Sequence, residues 1–190
     1  MKIKERLDSI LVTKGYFKSR AKAKYAIDSG NIYVNNIQIT KSSKLISEED
    51  KIEVRGETLK YVSRGGLKLE KALNVFEINL NNKICMDIGA STGGFTDVML
   101  QNGAKKVYSV DVGHDQLDEK IKNNKNVVNL EGINIKDIDA KDFNAIDFIS
   151  TDVSFISILQ VIPKIYELLK IKGNAVILIK PQFEVGKQNL

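Results

Sequence analysis

The chain has 190 residues, 43% hydrophobic and 28% charged, with a single cysteine, a single histidine and a formal net charge of +5. This length suits one medium domain plus a small one. There is no N-terminal apolar h-region and no apolar run near twenty residues, so neither export nor a membrane span is expected. The lone Cys85 reads as an inert core thiol of a reducing cytoplasm. Residues 1–60 hold 13 Lys/Arg and 8 Asp/Glu, whereas residues 61–190 hold 16 of each. All the excess positive charge is therefore N-terminal, which suggests a basic module for nucleic acid or an anionic surface joined to a neutral one.

Leu7, Ile10 and Leu11 recur at helical spacing, and Gly15 can close that helix, which is expected from about Lys4 to Lys14. Ser19 is placed as the N-cap of a second helix, Arg20 to Ser29, with Ala23, Ala26 and Ile27 inward and Gly30 after the last turn. Lys18, Arg20, Lys22 and Lys24 crowd its start, where they oppose the helix dipole, so they serve function rather than stability. Ile32-Tyr33-Val34 and Ile37-Gln38-Ile39 flank Asn35-Asn36, which suits a two-residue hairpin turn. A strand from Lys51 to Val54 follows the turn Ser47-Glu48-Glu49-Asp50. The residues Arg6-Leu7-Asp8, Ser19-Arg20-Ala21-Lys22-Ala23, Ile27, Gly30, Ile32-Tyr33-Val34-Asn35 and Asp50-Lys51-Ile52 resemble the small RNA-binding domain first described in ribosomal protein S-four. The match covers roughly residues 4–58. It implies docking on structured RNA through shape and phosphates, with Lys18, Arg20, Lys22 and Lys24 as the contact residues.

Residues 59–71 join the two parts, and Gly65-Gly66 breaks the chain before a helix that runs to about Phe76. Lys68 opens this helix and, by itself, reads as an ordinary exposed side chain. Lys83-Ile84-Cys85-Met86 then reads as a buried parallel strand, Phe95 to Gln101 as a helix, and the loop between them carries Asp87, Gly89, Ser91, Thr92, Gly93, Gly94 and Phe95. A glycine-rich loop at a strand-to-helix switch lets a ligand approach the backbone and the free N–H groups of the helix start. The dinucleotide spacing G-x-G-x-x-G would need glycine at 89, 91 and 94, but position 91 is serine. Asp111 ends the next strand-like run, Lys106 to Val110, and can accept both hydroxyls of a ribose, while Asp87 can support an amino-acid end through the loop. This favours S-adenosylmethionine over NAD. For the loop alone, the competing reading is a tight turn at Gly93-Gly94 with Asp111 as a helix cap.

His114 is placed near an adenine or at a helix start, with Asp115 capping that helix. Glu131-Gly132-Ile133-Asn134 follows the third strand, where adenine is often held, and Asn134 is the cofactor-side candidate. Phe148 to Asp152 is an apolar strand ending in a carboxylate, and Ala175 to Lys180 one ending in a lysine before Pro181. In an open parallel sheet such strand ends line one crevice. The fold class is thus α/β: a Rossmann-like domain suited to S-adenosylmethionine over 61–190 after a small α+β RNA-binding domain over 1–60.

Lys68, the loop from Asp87 to Thr96, Asp152-Val153-Ser154-Phe155 and Lys180-Pro181-Gln182-Phe183-Glu184 together resemble the TlyA family. Its members are often labelled hemolysins and are similar to FtsJ-type ribose methyltransferases. The resemblance implies 2′-O-methylation of cytidine in 16S and 23S ribosomal RNA by a Lys-Asp-Lys-Glu set, of which Lys68, Asp152 and Lys180 match the first three. The family's glutamate comes from a later strand than this chain contains, so the methyltransferase domain is expected to lack its final strands and to leave strand five at a sheet edge. Glu184 belongs to the Lys-Pro-Gln-Phe-Glu motif instead.

The chemistry suits these residues. A ribose 2′-hydroxyl is a poor nucleophile and needs in-line placement and removal of its proton. Lys180 is assigned as the base, tuned by Lys68 and Asp152. Methylation of an exocyclic amine is disfavoured because Asp152 opens Asp-Val-Ser-Phe rather than an Asp-Pro-Pro-aromatic motif. Cytosine C5 chemistry is disfavoured because Cys85 is misplaced. No metal set is assigned. Two other classes stand beside the enzyme: a non-catalytic RNA-binding protein with a methyltransferase-like fold, and a membrane-lytic hemolysin, for which no amphipathic or spanning segment is present.

Overall fold

The computed structural model describes residues 4–56, 60–143 and 146–185. Its contacts divide the chain into two units, Met1–Lys60 and Tyr61–Leu190. Residue 59 of the expected linker and residues 186–190 of the expected tail lie outside the described residues.

In the first unit, β1 (Lys4–Arg6) leads into α1 (Leu7–Thr13), then α2 (Arg20–Asp28), β2 (Ile32–Val34), β3 (Ile37–Gln38), β4 (Leu45–Ser47) and β5 (Ile52–Val54). The expected first helix is therefore shorter by one turn at its start. Lys4, Glu5 and Arg6 fall outside the apolar period and pair antiparallel with Ser47, Ile46 and Leu45. The Ser19 side chain accepts from the Lys22 N–H at 3.4 Å, and Gly30 with φ +74° ends α2 as a left-handed cap. Asn35 and Asn36 take φ values of 51° and 64°, which makes the hairpin turn of the primed type that matches strand twist. The two helices bury Leu7, Ile10, Leu11, Ala23, Ala26 and Ile27 against Ile32, Val34, Ile39, Ile46 and Ile52, an apolar core of aliphatic side chains.

The second unit runs α3 (Gly66–Val75), β6 (Ile84–Ile88), α4 (Gly94–Gln101), β7 (Lys106–Asp111), α5 (Glu119–Lys122), β8 (Val127–Glu131), β9 (Ile146–Thr151), α6 (Ile162–Leu168), β10 (Leu169–Ile177) and α7 (Pro181–Glu184). Its sheet is parallel throughout in the order β10-β9-β6-β7-β8. The strands alternate between two cores. Cys85 and Phe148 face Leu69, Leu73, Val98 and Met99, while Met86, Ile88 and Ile149 face Ile158, Val161 and Ile165. Cys85 is fully buried, and burial pushes its thiol up to about 12. The chain order reverses direction between β6 and β9, so the crevice outside their C-terminal ends is the topological switch point where such sheets bind ligands. β10 starts six residues earlier than its apolar run from Ala175 suggests, and among the described residues it pairs on one side only.

Candidate active site

Three turns of backbone in the left-handed region shape the loop after β6: Gly89 at φ +81°, Ser91 at +48° and Gly93 at +87°. Glycine is required at 89, because a Cβ there would lie 2.9 Å from the Asp152 carbonyl oxygen. The Asp111 carboxylate fixes the loop from the neighbouring strand. Its Oδ2 accepts from the Ser91 N–H at 2.7 Å and its Oδ1 from the Gly113 N–H at 2.8 Å. Each oxygen keeps a further lone pair for a ligand hydroxyl.

Asp87 lies beneath the loop rather than on its surface. It is completely buried and accepts from the Thr96 N–H at 2.9 Å, the Thr96 hydroxyl at 2.8 Å and the Ser150 hydroxyl at 3.1 Å. Burial pushes its carboxyl up to about 6 against those hydrogen bonds. Any effect of Asp87 on a ligand passes through the loop and the start of α4.

Asp152, one residue past β9, stands between two ammonium groups. Lys68 Nζ donates to its Oδ2 at 2.9 Å, and Lys180 Nζ lies 2.6 Å from its Oδ1 as an ion pair without a well-directed hydrogen bond. Lys180 also donates to the Ser154 hydroxyl at 2.7 Å. Burial, the largest influence on Asp152, pushes its carboxyl up, but Lys180 and Lys68 together outweigh it and hold it below the usual carboxylate range. The Lys180 ammonium lies 5.9 Å from the Phe183 ring, whose centroid is 5.3 Å from that of Phe155. Phe155 is an exposed aromatic at φ +65°, a sparsely populated backbone state for such a residue.

Two cavities meet at Gly89, Ser91, Asp152 and Ser154. The larger, of about 470 Å³, extends along Asp111, Val112, Ile133 and Asn134. The smaller, of about 220 Å³, extends along Ser63, Thr92, Gly94, Phe95 and Lys180. Gly93 lines neither and packs toward Leu117 and Ile121.

Several residues take places that the sequence does not indicate. Asp118, not Asp115, caps α5 through the Lys120 N–H at 3.0 Å, and Asp115 instead pairs with Lys122 at 3.4 Å from an exposed position. His114 lies with its ring against Gly132, where an added Cβ would come within 2.3 Å of it. Glu131 accepts from the Gln116 and Leu117 N–H groups at 2.6 and 3.0 Å and so holds the loop that leads into α5. Glu184 accepts from the Ser157 hydroxyl at 2.6 Å and the Ile158 N–H at 2.9 Å, tying α7 to the loop after Asp152. In the first unit, Lys18, Arg20 and Lys24 are exposed and Lys22 is partly so, and Arg20 is ion-paired with Asp8 at 2.8 Å.

The family model for FtsJ-like methyltransferases matches residues 61–190, and the S4 domain model matches residues 5–52. Hemolysin A of Brachyspira hyodysenteriae is 50% identical over 96% of this chain and 76% of its own length. The 16S/23S rRNA (cytidine-2′-O)-methyltransferase TlyA of Mycobacterium tuberculosis is 36% identical over 96% of this chain and 69% of its own. A solved structure from Streptococcus thermophilus, provisionally named a hemolysin, superposes with a TM-score of 0.72 at 43% identity, covering all of this chain and 70% of that one.

Proposed function

This chain belongs to the FtsJ-like methyltransferase family, and on that premise we propose that it methylates the ribose 2′-oxygen of cytidine in 16S or 23S ribosomal RNA. The observation that carries this reading is the chain of ion pairs Lys68–Asp152–Lys180, set where the two cavities meet. The Mycobacterium tuberculosis relative is named for this reaction. S-adenosylmethionine would supply an electrophilic methyl group on a sulfonium. The larger cavity falls in the size range of small-molecule sites, and its donors and acceptors suit an adenosyl ligand: the Asp111 carboxylate for a ribose, apolar Val112 and Ile133 with Asn134 for a base, and the bare backbone at Gly89 for close approach.

Acting as the neutral amine once one ammonium proton has passed to solvent, Lys180 removes the proton of the 2′-hydroxyl as that oxygen attacks. Asp152 holds the Lys180 ammonium in place at its Oδ1 and the Lys68 ammonium at its Oδ2, and Ser154 fixes the direction of Lys180 from its other side. The first unit supplies docking to structured RNA through the positive face around Lys18, Arg20, Lys22 and Lys24. Among the described residues no helix is long and apolar enough to cross a membrane, and nothing in this site calls for one.

The test is ribose-methylation mapping of ribosomal RNA incubated with the chain and S-adenosylmethionine. Lys180→Ala should slow methyl transfer by about a hundredfold or more, the usual scale of general-base loss, with cofactor affinity in calorimetry little changed. Turnover that survives the substitution removes Lys180 from the chemistry. Cofactor and RNA binding without any methylated ribose would favour a non-catalytic RNA-binding role.

A further inference from the structure

We propose that Asp8 is a positioning residue that holds Arg6 and Arg20 as one preformed pair of guanidiniums for RNA phosphate groups. The proposal rests on the reading above that the first unit docks on RNA. Asp8 lies in the first turn of α1 with a side chain only 6% exposed, beneath Arg6 and Arg20 side chains that remain 47% and 60% exposed. Its Oδ1 accepts from Arg6 Nε at 3.0 Å, and its Oδ2 accepts from Arg6 Nη2 at 3.1 Å and from Arg20 Nη2 at 2.8 Å. The Arg6 contact is thus the two-pronged fork that fixes a guanidinium plane.

The main chain around Asp8 is fixed as well. Leu7 N–H donates to the Lys44 carbonyl and Asp8 N–H to the Ser42 carbonyl, while Ser19 caps α2 directly before Arg20. A guanidinium carries about five N–H donors. Arg6 commits two of them to Asp8 and Arg20 one, so both keep donors for a phosphate oxygen. The Arg6 hydrogen bond, more than that of Arg20, holds the Asp8 carboxyl down at about 2, so it stays charged at every working pH.

Charge and geometry pull in opposite directions here. A carboxylate under two arginines subtracts from the field that attracts a polyanion, and exposed ion pairs add little stability. What it supplies is order, because a long side chain already fixed loses less freedom when it docks.

The experiment measures filter binding of the full chain to protein-free 23S ribosomal RNA across a salt series. For Asp8→Asn, the field alone predicts tighter binding and a salt slope steeper by about one. Positioning instead predicts affinity about three- to tenfold weaker, the cost of re-ordering a released side chain, with S-adenosylmethionine affinity unchanged. Unchanged or tighter RNA binding overturns the proposal.

If circular dichroism shows that Asp8→Asn does not fold, Arg6→Lys takes its place, keeping the charge and losing the fork. A loss of about threefold or more at unchanged slope supports positioning, and full affinity overturns it. Lys18→Glu combined with Lys24→Glu tests the underlying reading. If that pair leaves RNA affinity intact, RNA is held elsewhere and both ideas fall. If it weakens binding while Asp8→Asn does not, the role of Asp8 alone falls.

Discussion

In the sequence Asp111 reads as a ribose acceptor at a strand end and Asp87 as support for an amino-acid end through the loop, and the structure places the two differently. Asp111 lines the larger cavity, while Asp87 is sealed under α4. The folded value of Asp87, about 6, lies above the ordinary 3.8, so the native state binds its proton more tightly than the unfolded chain does. Its contribution to stability is therefore full below about pH 4 and is lost as pH rises through about 6, an effect of about 3 kcal/mol at most. Asp87→Asn should flatten the pH dependence of denaturant-unfolding stability in that window. A mutant curve parallel to the parent's between pH 4 and 6 would show that Asp87 titrates normally. That Asp152 and Lys180 lie together was legible because strand ends of a parallel sheet share one edge, whereas Lys68, on α3, was reached only through the family resemblance. Ser154 and Glu184 were not, because the partners they hold lie 26 or 27 positions away and no local pattern marks such a pairing.

Among the elements, those with a local signal emerged from the sequence and those without one did not. The cap at Ser19 and the paired asparagines at 35 and 36 declare α2 and the hairpin from within a few residues. β1 and β4 are three residues each and exist through pairing with one another across some forty positions, as in Arg6 opposite Leu45. Short runs of that kind carry no period of their own. At the loop after β6, the same logic makes a sharp demand, since the turn needs both positive φ and a missing side chain. Gly89→Ala should cost at least about 1 kcal/mol of stability from the backbone alone, and more from the contact with the Asp152 carbonyl at 2.9 Å. Thermal melts of the substituted chain test this, and an unchanged midpoint would mean that the loop can relax away from β9. The same variant should lose cofactor binding, since the loop cannot shift without moving Asp152.

Across the whole molecule, the excess charge belongs to residues 1–60 while the two cavities belong to residues 61–190, so the proposed recognition of a polyanion and binding of a small ligand call on different units. β10 is the outermost strand of the described sheet, and Ile171 and Ile179 on and beside it are exposed, whereas the central strands are enclosed by both cores. That contrast gives the lone sulfhydryl of β6 a use unrelated to catalysis. Cys85 is shut inside the central strand with its thiolate form suppressed, so a thiol-reactive dye can label it only when the second unit opens. Labelling therefore becomes a clock for opening of that unit, with no engineered probe required. Saturating S-adenosylmethionine should slow the clock by the factor one plus ligand concentration over Kd, about a hundredfold at a hundred times Kd. Labelling slower than that of a free thiol yet unchanged by ligand would show that the sheet breathes locally at β6 rather than opening as one body.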